Sequence, residues 1–201
     1  QLVVHEGSYY WTASGTWSGD FLDGSVRLSA GGSPAQTLAE PDNRPIRLFV
    51  DSTHVYWTSQ GTPLASPPDG AVRRRTLEGG PIETLATGLD RASAVMVADG
   101  KLYYGLKDFI RVAPVDAPDQ ATNFAEIGST PAMFATDGQD LYWTEASSIG
   151  RVARQPLAGG PTTVLAENLN IPHGITLDAS NVYFTVRGTG IDDGAVMYIP
   201  K

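Results

Sequence analysis

HVYWTSQG, from His54 to Gly61, and DLYWTEASSIG, from Asp140 to Gly150, carry the same core. In both, Tyr-Trp-Thr follows Val or Leu. A single binding site has no use for copies, whereas a fold built by repetition does. Three further strings fit the pattern: YYWTA (Tyr9–Ala13), LYYGL (Leu102–Leu106) and VYFTV (Val182–Val186). Aligned on Tyr10, Tyr56, Tyr103, Tyr142 and Tyr183, the copies are 46, 47, 39 and 41 residues apart. That interval is roughly the 40–50 residues of one four-stranded propeller blade.

Each copy has the same internal order. An apolar first strand comes before the aromatic one: QLVV (Gln1–Val4), IRLFV (Ile46–Val50), SAVMV (Ser93–Val97), PAMFA (Pro131–Ala135) and GITL (Gly174–Leu177). Between the two lies a turn rich in Asp, Gly, Ser and Asn, residues that tolerate hairpin backbone angles. A third strand follows, opening after Gly in most copies. Gly-Gly turns at Gly31-Gly32, Gly79-Gly80 and Gly159-Gly160 then lead into a fourth strand. β-Branched and aromatic residues fill these runs, and no window carries a helical stripe.

The expected fold is all-β: a propeller of four-stranded antiparallel blades, five in number, the last three-stranded. Its repeats run approximately over 1–45, 46–92, 93–130, 131–172 and 173–201, within a single domain 1–201. The competing expectation is part of a six- or seven-bladed propeller. Such units bury their faces only against one another. The aromatic copies are therefore read as packing between blades, in preference to sugar-stacking platforms. The fifth copy lacks a fourth strand, and its unpaired edge is where a homodimer would form.

Composition narrows the partners. The chain has 201 residues and a formal net charge of -8, from 14 Lys+Arg against 22 Asp+Glu. Nucleic acid and anionic membranes both call for a basic face, so neither is expected as a partner. At 41% hydrophobic residues the chain can build a core, yet no apolar run approaches the ~20 residues of a membrane span. There is no Cys, hence no disulfide and no thiolate metal site.

Tyr56-Trp57-Thr58 and Tyr142-Trp143-Thr144, with GRVARQPLAGG (Gly150–Gly160) and NLNIPHGITLD (Asn168–Asp178), resemble the YWTD-type six-bladed propellers and their relatives in the TolB-like superfamily. The likeness spans nearly the whole chain and implies an exported or extracytoplasmic bacterial protein. Pro172–Ile175, PHGI, also resembles virginiamycin-B-lyase-type propellers. The chain departs from the pattern after Thr, where the family's Asp is replaced by Ala13, Ser59, Leu106, Glu145 and Val186. The Asp-based network between family blades is thus not implied here.

Chain direction brings the long second-to-third loops and the blade-to-blade loops to one face, around the channel mouth. Binding residues concentrate on such loops. The expected ligand, a protein or a small molecule or carbohydrate, meets Trp17, Arg44, Arg91, His173 and Arg187 there. Trp17 either stacks on the ligand or covers the channel mouth. The alternative is a lyase or hydrolase using His173 and Glu145 with a divalent cation; His173 otherwise bonds a loop carbonyl. Asp23, Asp69 and Asp193 each precede Gly and read first as turn residues. No cofactor is expected. A divalent cation such as calcium would sit at Asp192 and Asp193, in GIDDG.

Overall fold

The computed structural model describes residues 1–190 and 192–201. Ile191, inside the long loop over 186–194, lies outside the described residues. The chain folds into five antiparallel sheets in sequence order. Sheet one contains β1 (Leu2–His5), β2 (Ser8–Ala13), β3 (Gly24–Ala30) and β4 (Gln36–Asp42). Sheet two contains β5 (Pro45–Val50), β6 (His54–Ser59), β7 (Gly70–Thr76) and β8 (Glu83–Leu89). Sheet three contains β9 (Val95–Ala98), β10 (Lys101–Gly105), β11 (Phe109–Pro114) and β12 (Thr122–Glu126). Sheet four contains β13 (Pro131–Thr136), β14 (Asp140–Glu145), β15 (Gly150–Pro156) and β16 (Thr163–Leu169). Sheet five has three strands, β17 (Pro172–Leu177), β18 (Asn181–Val186) and β19 (Ala195–Pro200). Besides these, the described residues hold two three-residue 3-10 turns, at Trp17–Gly19 and Pro118–Gln120.

Strand alternation explains why Tyr and Trp stand side by side. Neighbouring residues of a strand point to opposite faces. Tyr56 therefore packs toward sheet three, with Val95, Leu102 and Tyr104, while Trp57 packs toward sheet one, with Tyr10, Val26 and Ala39. In β14, Trp143 turns to Tyr103 and Ile110 of sheet three, and Tyr142 turns to Ile175, Val182 and Phe184 of sheet five. Trp57 and Trp143 are 0% exposed. One dipeptide thus closes two seams.

Four such clusters fill the four seams between consecutive sheets. None of them joins sheet five to sheet one. The outward face of sheet one shows Leu2 (60% exposed) and Val4 (61%), and that of sheet five shows Val196 (76%) and Tyr198 (66%). Beyond β19 no fourth strand pairs among the described residues.

Two seams also carry a buried polar knot. Trp57 Nε1 donates to Asp42 Oδ2 (2.8 Å); Arg73 Nη1 donates to Asp42 Oδ1 (2.9 Å), and so does the Ser59 hydroxyl. Across the molecule, Glu145 accepts from Trp143 Nε1 (2.9 Å), Arg151 Nε (2.7 Å) and the Gly128 amide (2.9 Å). Each indole N–H meets a carboxylate, and each carboxylate an arginine. Glu145, from the same strand as Trp143, and Asp42, from the sheet before Trp57, supply the charge of the two knots.

Candidate functional site

The long loops that gather on one face are held by a recurring clasp. Each begins Gly-Thr and ends Asp-Gly: Gly15-Thr16 with Asp23-Gly24, Gly61-Thr62 with Asp69-Gly70, and Gly188-Thr189 with Asp193-Gly194. The Thr16 amide and hydroxyl both donate to Asp23, each at 2.7 Å. Thr62 does the same to Asp69, at 2.8 Å for both bonds. Thr189 gives its amide (2.7 Å) and hydroxyl (2.5 Å) to Asp193, which also accepts from the Gly190 amide. The leading glycine has positive φ in all three clasps, 88°, 87° and 83°, a region open to Gly. Hydrogen bonds to the charged form favour it. Those from Thr16 hold Asp23 below its ordinary value, and those from Thr189 and Gly190 lower Asp193 to about 2.

These carboxylates hold loops together. Asp193 has both oxygens engaged by Thr189 and Gly190, and Asp192 sits beside it in a left-handed turn, φ 69°. Among the described residues no group of three or more His, Asp and Glu side chains is arranged to hold a metal ion.

A basin of about 520 Å³ opens between the loops of sheets two and three. Arg44, Arg91 and Lys107 line it, with Asp90 beside Arg91 and with Thr62, Leu64 and Asp69 on the loop after β6. Asp69 is further tied by Asn43 Nδ2 at 2.8 Å. Arg44 and Arg91 occupy corresponding positions just before a first strand, both with left-handed backbone, φ 58° and 55°. Neither has an acidic partner among the described residues. Arg44 lies over the Phe21 ring, 4.7 Å from its centre, and Trp17 meets the same ring edge-on at 5.3 Å. Trp17 is 82% exposed. Trp17, Phe21 and Arg44 form a ridge leading into the basin.

His173 lies elsewhere. It falls within β17, one residue past the strand's start, and its ring turns to the central axis. Arg47 Nη2 contacts His173 Nε2 at 2.7 Å. A guanidinium only donates, so Nε2 is the accepting nitrogen and the proton of the neutral ring is on Nδ1. Burial, then the Arg47 charge, lower the pKa of His173 from its ordinary value, although the ring remains partly open to solvent.

The structure does not bring Glu145 to His173. Glu145 shares the Trp143 face of β14, toward sheet three, is 2% exposed, and has both oxygens occupied. The opposite face of that strand meets sheet five, where the Thr144 hydroxyl donates to the His173 carbonyl at 2.7 Å. Arg187 stands at the end of β18, its amide on the carbonyls of Asn170 and Ile171, away from the Arg44 basin. Of the five sequence candidates for ligand binding, Trp17, Arg44 and Arg91 gather in one region. Lys107 and Arg47 were missed. Arg47 had a signal, a lone charge inside the apolar run IRLFV.

No protein-family model matches the chain, and no curated protein matches it. Solved structures do. TolB from Acinetobacter baumannii aligns with TM-score 0.72 at 13% identity, over 96% of this chain and 50% of that one. The computationally designed Ika8 protein aligns with TM-score 0.64 at 13% identity, over 92% and 54%. A luciferin-regenerating enzyme aligns with TM-score 0.69 at 12% identity, over 98% and 75%. The chain spans about half the length of the first two. At this identity the likeness shows the fold, a β-propeller, and leaves function to the site.

Proposed function

We propose that the protein is a binding module whose long-loop face captures an acidic ligand in the Arg44–Arg91–Lys107 basin. One observation carries this reading: Arg44 and Arg91, without acidic partners among the described residues, and Lys107 outnumber Asp69, tied into its clasp, and Asp90 along a concave surface of a protein whose net charge is -8. A local cationic surface on an acidic chain attracts anionic ligands selectively while the remaining surface repels them. Trp17, beside Arg44, supplies an aromatic contact of the kind that anchors partners. The clasps fix the loops in advance, which lowers the ordering cost of binding. Action outside the cytoplasm, kinship with the YWTD-type group and pairing of two copies along β19 belong to the same proposal. They are supported by the Tyr-Trp-Thr resemblance and by the bare edge of sheet five.

The test compares a Glu-rich peptide and a sulfated oligosaccharide with uncharged counterparts of equal length. Binding of either acidic probe is expected to weaken steeply with added salt and to be lost in Arg44→Glu/Arg91→Glu. Equal binding by that variant, or equal binding of the neutral probes, overturns the reading. An acid/base reading through Glu145 and His173 has no support in the geometry, because Glu145 is buried in the seam of sheets three and four while the His173 ring meets Arg47.

A further inference from the structure

A second cavity, of about 210 Å³, lies on the axis where the first strands converge. It is smaller than the ~300–1,000 Å³ of drug-sized pockets. Its wall is mainly apolar, formed by Val3, Phe49, Val50, Met96, Met133 and Phe134, with Arg47 and Gln1, whose side-chain oxygen accepts from the Leu48 amide, as its polar lining residues. Arg47 is half-buried and, like Arg75 and Arg111 but unlike Arg73 and Arg151, it has no carboxylate partner among the described residues; of these it is the one that lines this cavity. Arg73 has Asp42 at 2.9 Å, and Arg151 has Glu145 at 2.7 Å. Arg47 has no carboxylate within bonding distance among the described residues. Its Nε donates to the Ala132 carbonyl (2.8 Å), Nη1 to the Ile46 carbonyl (3.1 Å), and Nη2 to His173. A guanidinium carries five N–H groups. Those three bonds leave one free on each terminal nitrogen, the fork that a carboxylate accepts in bidentate fashion.

We propose that the axial cavity binds a small monocarboxylate with an apolar tail, its carboxylate on Arg47 and its tail among Val3, Met96 and Met133. Burying a cation without a counter-charge is unfavourable, and an incoming carboxylate offsets that cost. The neutral His173 beside it adds no competing negative charge, and its bond to Nη2 holds the guanidinium across the axis. The apolar wall rejects small hydrated anions such as acetate, which have nothing to bury there. This site is separate from the Arg44 basin and stands or falls independently of it.

The probe is octanoate, with octanol and acetate as comparisons, added to protein labelled at the methionine methyl groups. The expected result is saturable octanoate binding that shifts the Met96 and Met133 methyl signals. Octanol should bind about tenfold more weakly or worse, the size of a lost charged hydrogen bond. Arg47→Met should lose octanoate to the same degree, and Arg47→Lys should retain part of it. If octanol and octanoate bind alike, or if neither methyl signal moves, the proposal is wrong. Those two readouts use the unaltered protein, so they decide the matter even if the Arg47 variants fail to fold.

Discussion

Replacing Glu145 by Ala tests the seam between sheets three and four most directly. The change removes three acceptor contacts at once and leaves the Trp143 indole N–H, the Gly128 amide and the Arg151 guanidinium without their partner. Breaking a buried ion pair by deleting one member costs about 3–5 kcal/mol. The Arg151 side chain is 29% exposed and recovers some hydration, which favours the lower end, about 3 kcal/mol. For a chain of this size, that lowers the melting temperature by roughly 6–12 °C. Glu145→Gln keeps the shape and one acceptor and should cost less, about 1–2 kcal/mol. Denaturant melts followed by tryptophan fluorescence and near-ultraviolet circular dichroism read both. Asp42→Ala, in the matching knot around Trp57, should cost a similar amount, and the double variant should be additive because the knots share no partner. If Glu145→Ala melts within about 0.5 kcal/mol of the parent protein, the carboxylate is not holding the seam and the reasoning fails.

Three other outcomes follow from the geometry. His173 should titrate below its ordinary value. Because its folded pKa is depressed, the stability it contributes is present above the unfolded pKa of about 6.5 and is lost as pH falls through the folded value. Arg47→Met should raise that pKa, and a ring that titrates unchanged in this variant contradicts the contact. Asp178 is lowered to about 2 by the Tyr183 hydroxyl and by the amides of Ser180 and Asn181, so its contribution persists above pH ~4 and fades toward pH 2. Carboxyl nuclear magnetic resonance should show that low value, and Tyr183→Phe should raise it. Gly150→Ala should destabilise by about 1–3 kcal/mol through overpacking, because a Cβ there would lie 2.5 Å from Pro172 Cδ; an unchanged melting curve would refute the close approach.

The five copies, their strand order and the place of Tyr and Trp could all be read from the sequence, because the aromatic strand repeats at blade length and every hairpin carries its turn residues. The bare edge of β19 was also visible, from the missing fourth run. The destinations of individual charges were harder to see. Glu145 looked like a site residue because it ends the aromatic strand on the loop face. Counting two residues back to Trp143 places both on one face of β14, and that parity was the available clue. Asp42 gave no such clue, since its partners Trp57, Ser59 and Arg73 come from the next sheet. The clasps were half legible. Asp before Gly pointed to turn chemistry, but pairing with Thr four or seven residues earlier emerges only when the loop is folded. The Arg44 basin drew on loops from two sheets, and Lys107 had no sequence neighbour to mark it.

Within the described residues, the faces of sheets one and five are unsealed, and that sets the order in which this segment by itself would come apart. Sheets two, three and four are packed on both faces, whereas sheet five packs its apolar face on sheet four, touches sheet two through the Arg47–His173 contact, and has one strand fewer. Local opening should begin there and travel inward, so amides of β18 and β19 exchange with solvent before those of β6 or β10. His173 belongs to that loosest sheet and Arg47 to a firmly held one. The axial cavity is lined by sheets one to four, so opening of sheet five would leave its wall in place and cost Arg47 only the His173 contact.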